Sequence, residues 1–550
     1  MAPTTTKKSR KRSTTRSTRA EAPASYRPKT GRGTRGVPVS FDEPATRGPG
    51  ALAAESVEMP RIPRPAKTRY PVDLETYRAL KEAAVGASAL RKGDAEVVSD
   101  KRGRRTEVAS MLRSLAASGP AAAAPSALTT VSNFGGLPHN GWNPYDGTLA
   151  AGPEHVMVAV NERVGFYTKS SGAVVLERSL GSWFRRVVTG AKIFDPKVLY
   201  DQYAGRWVLL AMGVATNPLR SWFLLSVSES ADPRGRWFNY ALDATLDGDT
   251  PTNNWADYPG LGVDKDALYV SANMFRLDDR FQYAKLRVIP KKAPYSGGTP
   301  TWSDFVRLKN DDGTFAFTVQ PCHTYGSPGV LYLVNTWYPT EQRPTRDRLS
   351  VWSLRDPLGT PRLTRKTIKI APYSLPPQAE QKGGGGLLDS GDIRVLNAVY
   401  SGGSVWCVFT TAQTWSGTNR ASFCWLQLRP SEDSLLQQGI FGARDGSYFY
   451  PAVMPDVHGN VVITFSRSSR TEFASMYYTG RETADPAGKL RPSVLVKAGA
   501  AHFSDGNDPS RWGDYSGAAL DPADSRTIWI YNGYAATGST WATQVAAARF

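Results

Sequence analysis

Residues 253–275 read NNWADYPGLGVDKDALYVSANMF, and residues 511–534 read RWGDYSGAALDPADSRTIWIYNGY. Both carry Trp-x-Asp-Tyr-x-Gly, a short apolar run, an Asp-rich turn, and a second apolar run that reaches an asparagine. One sentence written twice in a chain marks a repeat architecture, in which the copies hold equivalent places. Used as a template, the pattern finds five more copies. They are DGTLAAGPEHVMVAVN from Asp146, DPKVLYDQYAGRWVLLAMG from Asp195, a degenerate FTVQPCHTYGSPGVLYLVN ending at Asn335, DIRVLNAVYSGGSVWCVFT from Asp392, and YPAVMPDVHGNVVITFS from Tyr450.

Each copy is two apolar strands joined by a turn of Gly, Pro, Asp or Asn, such as GPEH, DKD or DVHGN. A third strand follows (WFLLSVS, RLSVWSL, SFCWLQL), and a second turn leads to a fourth, as in DPRGRWFNYAL. Repeated four-stranded antiparallel units predict an all-β propeller, because no blade can bury both its faces alone. The seventh unit stops at Phe550 after its third strand, while SALTTVSNF, just ahead of the first unit, is a spare strand. Pairing the two would close the ring and remove its seam. The expectation is a seven-bladed propeller over residues 127–550, with six or eight blades as the alternatives left by the weak fourth copy.

Ahead of the repeats, residues 1–50 hold 12 Lys/Arg against three acids, about half of the +18 net charge of the 550-residue chain. The stretch is rich in Ser, Thr, Pro and Gly, so residues 1–70 are expected to form a disordered basic arm. Such an arm would attract nucleic acid or an acidic surface by counterion release, or serve only to solubilise. Leu74, Tyr77, Leu80 and Ala84 fall at helical spacing with Gly93 as a stop, and Val108, Met111, Leu112 and Leu115 suggest a second helix. These make residues 71–118 a short helical preface, and residues 119–126, rich in Ala and Pro, a linker. The basic start has no apolar h-region behind it, and no apolar run approaches the roughly 18 residues of a membrane span. No Sec signal peptide is therefore expected: the chain stays in the cytoplasm or leaves by a non-classical route. Cys322, Cys407 and Cys424 match no zinc-ligand spacing. Cys407 and Cys424 lie on apolar runs that could pair and face each other, with two buried thiols as the plainer reading.

The stretches Asp195–Trp207 and Asp257–Val263, with SADPRGRW (Ser230, Asp232, Gly235, Trp237), resemble the sialidase-like β-propeller superfamily. The last run is similar to an Asp box, although its glycine falls one place late; Asp356-Pro-Leu-Gly and Asp485-Pro-Ala-Gly are shorter relatives. The resemblance implies a propeller with these boxes between third and fourth strands, remote from any active site. Sialidase activity would further require three arginines and a Tyr/Glu pair. Arg394, Arg444 and Arg511 lie near inner-strand starts, with Tyr448 and Tyr450 nearby, but no glutamate holds an evident inner position.

In a propeller the first strand of each blade lines the channel, and the loops at its start form the usual ligand face. Asp146, Asp195, Asp257, Asp392 and Asp514 stand there, with Trp255 and Trp512 two residues before Asp257 and Asp514, and Tyr258 and Tyr515 one after. A ring of carboxylates with aromatic platforms could bind a glycan or protein ligand. A pair about 5–10 Å apart could act as acid and base on a glycosidic bond, and hard oxygen donors would also suit Ca2+. The plainer use is structural, each Asp bonding the backbone of the next blade. His323, in the unit that lost its Asp, and His139 before the first blade are candidates to face the channel, while His155 and His458 sit in turns on the opposite face. No phosphate loop, HExxH, nucleophile elbow or CxxC pair is present. The leading functional reading is a recognition module. A glycoside hydrolase using ring carboxylates, and a scaffold whose basic arm is the active element, are the alternatives.

Overall fold

Strand-forming runs rich in Val, Ile, Leu and aromatics alternate with Gly/Asp turns through the repeats, and each run pairs with its neighbour as an antiparallel meander. The computed structural model describes residues 25–39, 70–73, 75–81, 127–384 and 386–550. The fold is an all-β propeller. In the unit around Asp195, Lys192–Asp201, Arg206–Thr216, Leu219–Ser228 and Trp237–Asp243 pair in order. The first strands of successive units lie side by side, and Gly517–Leu520 returns to Thr148–Ala151. The seam closes as expected: Thr129–Pro138 pairs antiparallel with Trp541–Arg549, with Phe134 opposite Val545.

Seven separate blades were expected; five stand as sheets of their own. The units opening at Asp257 and Asp392 are instead fused in one ten-stranded sheet. The cause lies in the degenerate fourth copy. Gln320–Pro321 pairs within its own sheet, but Pro321 offers no N–H to continue a ladder. Past Cys322 the chain leaves the sheet, and His323–Thr324 runs parallel between Val263 on one side and Val399 and Tyr400 on the other. This short strand staples the two units together.

Blades are held to one another by aromatic packing. Phe166 of the first unit meets Trp207 of the second edge-on at 5.3 Å, and Trp207, Trp237, Trp352, Trp425 and Trp541 are fully buried. A buried Trp removes about 150–250 Å² from water, worth at most about 4–6 kcal/mol. The Asp-box-like run forms the turn between third and fourth strands, with Asp232 Oδ1 accepting from Arg234 N and Trp237 Nε1 donating to the Pro233 carbonyl. All three cysteines are buried free thiols. Phe409, not Cys407, lies opposite Cys424.

Residues 25–39 of the arm depart from expectation. Within the stretch expected to be disordered, Ser25–Tyr26, Lys29–Arg32 and Val37–Val39 add a fifth strand to the outer edges of the fourth, third and second units in turn. Open sheet edges supply the pairing that the arm's own composition cannot. Gly31 is required for this approach, since a Cβ there would lie 2.3 Å from the Gly248 carbonyl oxygen and from Trp302 Nε1. The rest of the arm, the second candidate helix and the 119–126 linker lie outside the described residues. Of the first candidate helix, residues 75–81 are helical, capped by Asp73, whose carboxylate accepts from Thr76 N and Oγ1 at 2.8 Å each.

Candidate functional site

Three first strands carry the same bulge. Asp195-Pro196, Tyr258-Pro259 and Tyr450-Pro451 each place two residues opposite one on the neighbouring strand, with φ of 50°, 55° and 50° at the residue before proline. Asp146 and Thr318, just ahead of the first and fourth units, share the left-handed conformation at 49° and 52°. Such a non-glycine residue costs about 1–3 kcal/mol and persists only where its surroundings hold it. The neighbouring blade does so. Asp195 N donates to Asn161 Oδ1 at 2.8 Å, Thr318 N to Asn273 Oδ1 at 2.8 Å, Tyr450 N to Thr410 Oγ1 at 3.2 Å, and Tyr258 N to Asp195 Oδ2 at 3.3 Å. The asparagine in the second apolar run is thus an inter-blade clamp. Asp257 is not the counterpart of Asp195: it precedes the bulge by one residue, is half-buried, and leaves Tyr258 in the left-handed place.

Around these bulges the channel face gathers charge. Asp146 is buried, with Oδ2 accepting from Asn161 Nδ2 at 2.6 Å and Oδ1 lacking a partner. Burial, reinforced by the Asp514 charge, pushes its carboxyl up to about 8. Burial and then the Asp257 charge hold Asp195 well above the carboxylate range. Lys197 lies two residues further along the same strand, its Nζ 2.9 Å from the Tyr515 ring centre and 5.9 Å from that of Tyr258. Burial brings the ammonium down to about 7 against the pull of Asp195, Asp146 and Asp514. Asp392 and Arg394 pair at 2.7 Å, the guanidinium resting 4.2 Å above the Tyr258 ring. Arg511 pairs with Asp514 at 3.0 Å and reaches Asp389 at 3.8 Å, while the Tyr258 hydroxyl donates to the Asp514 carbonyl.

Of the residues singled out from sequence, Asp146, Asp195, Asp392, Asp514, Arg394, Arg511, Tyr258 and Tyr515 all reach this face. Others do not. Trp255 and Trp512 are core side chains rather than platforms, donating to the Arg276 carbonyl and to Ser466 Oγ. Arg444 is exposed on a turn, where its carbonyl accepts from Arg420. His323 lines the far end of the channel, bonded to Gln202 Oε1 at 2.9 Å and stacked on Tyr325. Between Lys197 and His323 the channel keeps a cavity of about 90 Å³. His139 meets the Trp541 ring edge-on outside that cavity. Among the described residues no three His, Cys, Asp or Glu side chains gather as metal ligands. Asp392 and Asp514 instead hold arginines.

Sequence reading missed Asp389, Lys197 and the cover over the face. Tyr70 and Tyr77 stack at 3.4 Å, and both are buried. The Tyr77 hydroxyl donates to the Gly391 carbonyl at 3.2 Å, and Lys81 Nζ reaches Gln378 Oε1 at 3.1 Å and Asp389 Oδ1 at 3.8 Å. The helical spacing of Tyr77 and Leu80 announced an apolar stripe without saying what it covers. Lys197 carried a readable signal, since it stands two residues after Asp195 on the same first strand.

No family model matches the chain, and no curated protein matches it. Solved structures similar to it include a protein of unknown function from Dyadobacter fermentans, at 10% identity over 77% of this chain and 99% of that one, with a TM-score of 0.40. Another is the GH93 α-L-arabinofuranosidase of Fusarium graminearum in complex with arabinobiose, at 9% identity over 76% and 97%, TM-score 0.37. A third is the WD40 domain of SCAP from fission yeast, at 11% identity over 73% and 82%, TM-score 0.31.

Proposed function

We propose that this chain is a ligand-recognition propeller whose channel face takes a protein or peptide segment carrying aromatic and cationic side chains. The observation that carries this reading is the seating of the chain's own residues 70–81, with Tyr77 on the Gly391 carbonyl and Lys81 beside Asp389. An acidic, carbonyl-rich mouth that accepts Tyr and Lys from its own chain has the chemistry to accept them from another. In this reading Asp389, Asp392 and Asp514 are the acidic contacts, Arg394 pairs with Asp392 and Arg511 with Asp514, and Tyr258 and Tyr515 wall the channel below. A glycan remains the other ligand class for the same face.

One feature favours the glycosidase reading: burial and the Asp514 charge push the Asp146 carboxyl upward, the direction a general acid requires. The scaffold reading keeps Arg27, Lys29, Arg32 and Arg35, which are exposed along the sheet edges as a basic ridge for nucleic acid or an acidic surface. A parallel screen of random peptides and of glycans against full-length Y77S/K81S separates these classes. Enrichment of Tyr/Lys peptides that is lost in the added Asp389→Asn variant is the expected result. Selective glycan binding with no peptide enrichment would overturn the peptide reading.

A further inference from the structure

On the face opposite the channel mouth, the turns of the fifth and sixth units enclose a cavity of about 400 Å³. Its back wall holds Arg481, the last residue of Glu472–Arg481, only 3% exposed. One terminal nitrogen of Arg481 donates to the Asp485 carbonyl at 2.7 Å, and Nε has no partner at all. The nearby carboxylates are already bonded elsewhere. Asp485 accepts from Arg491 Nε at 2.8 Å and Glu482 N at 2.9 Å, and Asp456 accepts from His458 N, Asn460 N and Asn460 Nδ2. A buried guanidinium without a carboxylate is costly unless something anionic meets it.

The rest of the lining is donor-rich. Arg429 and His458 stand exposed at the rim, and Thr483 and Ser404 present hydroxyls. Ser404 Oγ accepts from Gln427 Nε2 at 3.0 Å, which leaves its own proton for a ligand. We propose that this cavity binds a small phosphate monoester, its phosphate on Arg481 and Ser404 and closed by Arg429. Guanidinium groups bind phosphate oxygens in pairs of parallel hydrogen bonds. The volume exceeds what a bare phosphate fills and falls within the about 300–1,000 Å³ range of small-molecule sites, so an organic portion of sugar size fits beside Trp406. Burial pulls the Arg481 guanidinium below its usual pKa, and the Asp485 charge only partly opposes this.

The test is calorimetric titration of the full-length protein with inorganic phosphate, glucose 6-phosphate and glucose. Saturable binding of both phosphates, with the monoester tighter and glucose silent, is expected. Arg481→Met keeps the buried stem and should weaken both phosphates about tenfold or more, a loss of about 1.4 kcal/mol. Arg470→Ala, which removes a cation exposed elsewhere, should leave binding unchanged. Should Arg481→Met fail to fold, the exposed Arg429→Ala carries the test, with severalfold weaker phosphate binding expected. Phosphate binding that is absent at millimolar concentration, or equal in wild type and the Arg481 and Arg429 variants, overturns the proposal.

Discussion

Asn161 and Asn273 each stand in the second strand of a unit or at its end, and each accepts a hydrogen bond from a left-handed residue in, or just ahead of, the first strand of the next. Removing the Asn273 carboxamide would leave the buried Thr318 N–H and Oγ1 without their partner, at a cost of about 1–3 kcal/mol. Asn273→Ala should therefore lower the melting temperature by several degrees, whereas Asp257→Asn, at a half-buried isosteric position, should change it far less; differential scanning calorimetry distinguishes them. Asp146 sets a pH dependence. Its folded pKa, about 8, lies above its ordinary 3.8, so between these values the folded state binds the extra proton. Its contribution is fully present below about pH 4 and is lost as pH rises towards 8. Lys197, brought down from 10.5 to about 7, acts in the opposite sense above pH 7, where stability rises as the unfolded chain alone stays protonated. Asp146→Asn, which mimics the protonated carboxyl, should flatten the fall of melting temperature between pH 5 and 7; a slope identical to wild type would contradict the buried-acid account.

At the scale of elements, the arm strands depend on shape more than on hydrophobicity. Lys29–Arg32 lies against Thr301–Phe305 with Gly31 opposite Trp302, and the ring nitrogen of Trp302 donates to the Gly248 carbonyl at 3.2 Å. A leucine at Gly31 has no room there. Gly31→Leu should unseat this strand, and hydrogen exchange should speed up at Trp302 and Asp304 while the inner strand Trp255–Val263 stays protected. This pairing was illegible in the sequence because an edge strand takes half its bonds from a partner distant in the chain, and a stretch rich in Arg and Gly gives no periodic signal of its own. The fourth unit was legible as weak but not as broken. Pro321 was visible, yet only the placement of Val263 and Val399 shows where the chain goes after it.

For the whole molecule, the repeat was readable because every unit must bury both faces, which imposes the same apolar–turn–apolar order on each copy. The closing strand was readable because the last unit lacks a fourth strand and Thr129–Pro138 supplies one. The channel face was readable only in part. Asp and Tyr at first-strand starts pointed to it, but the tryptophans at Trp255 and Trp512 turn into the core, and the side chains that cover the face come from outside the repeats. That cover makes the face an occupied one, and competition follows. The most direct measurement is the fluorescence anisotropy of a labelled synthetic peptide spanning residues 68–83, titrated with full-length wild-type protein and with full-length Y77S/K81S. The account predicts saturable binding to the variant, at least about tenfold weaker binding to wild type, whose own segment already holds the mouth, and loss of binding when Asp389→Asn is added. Equal binding to wild type and Y77S/K81S, or none to either, would contradict it.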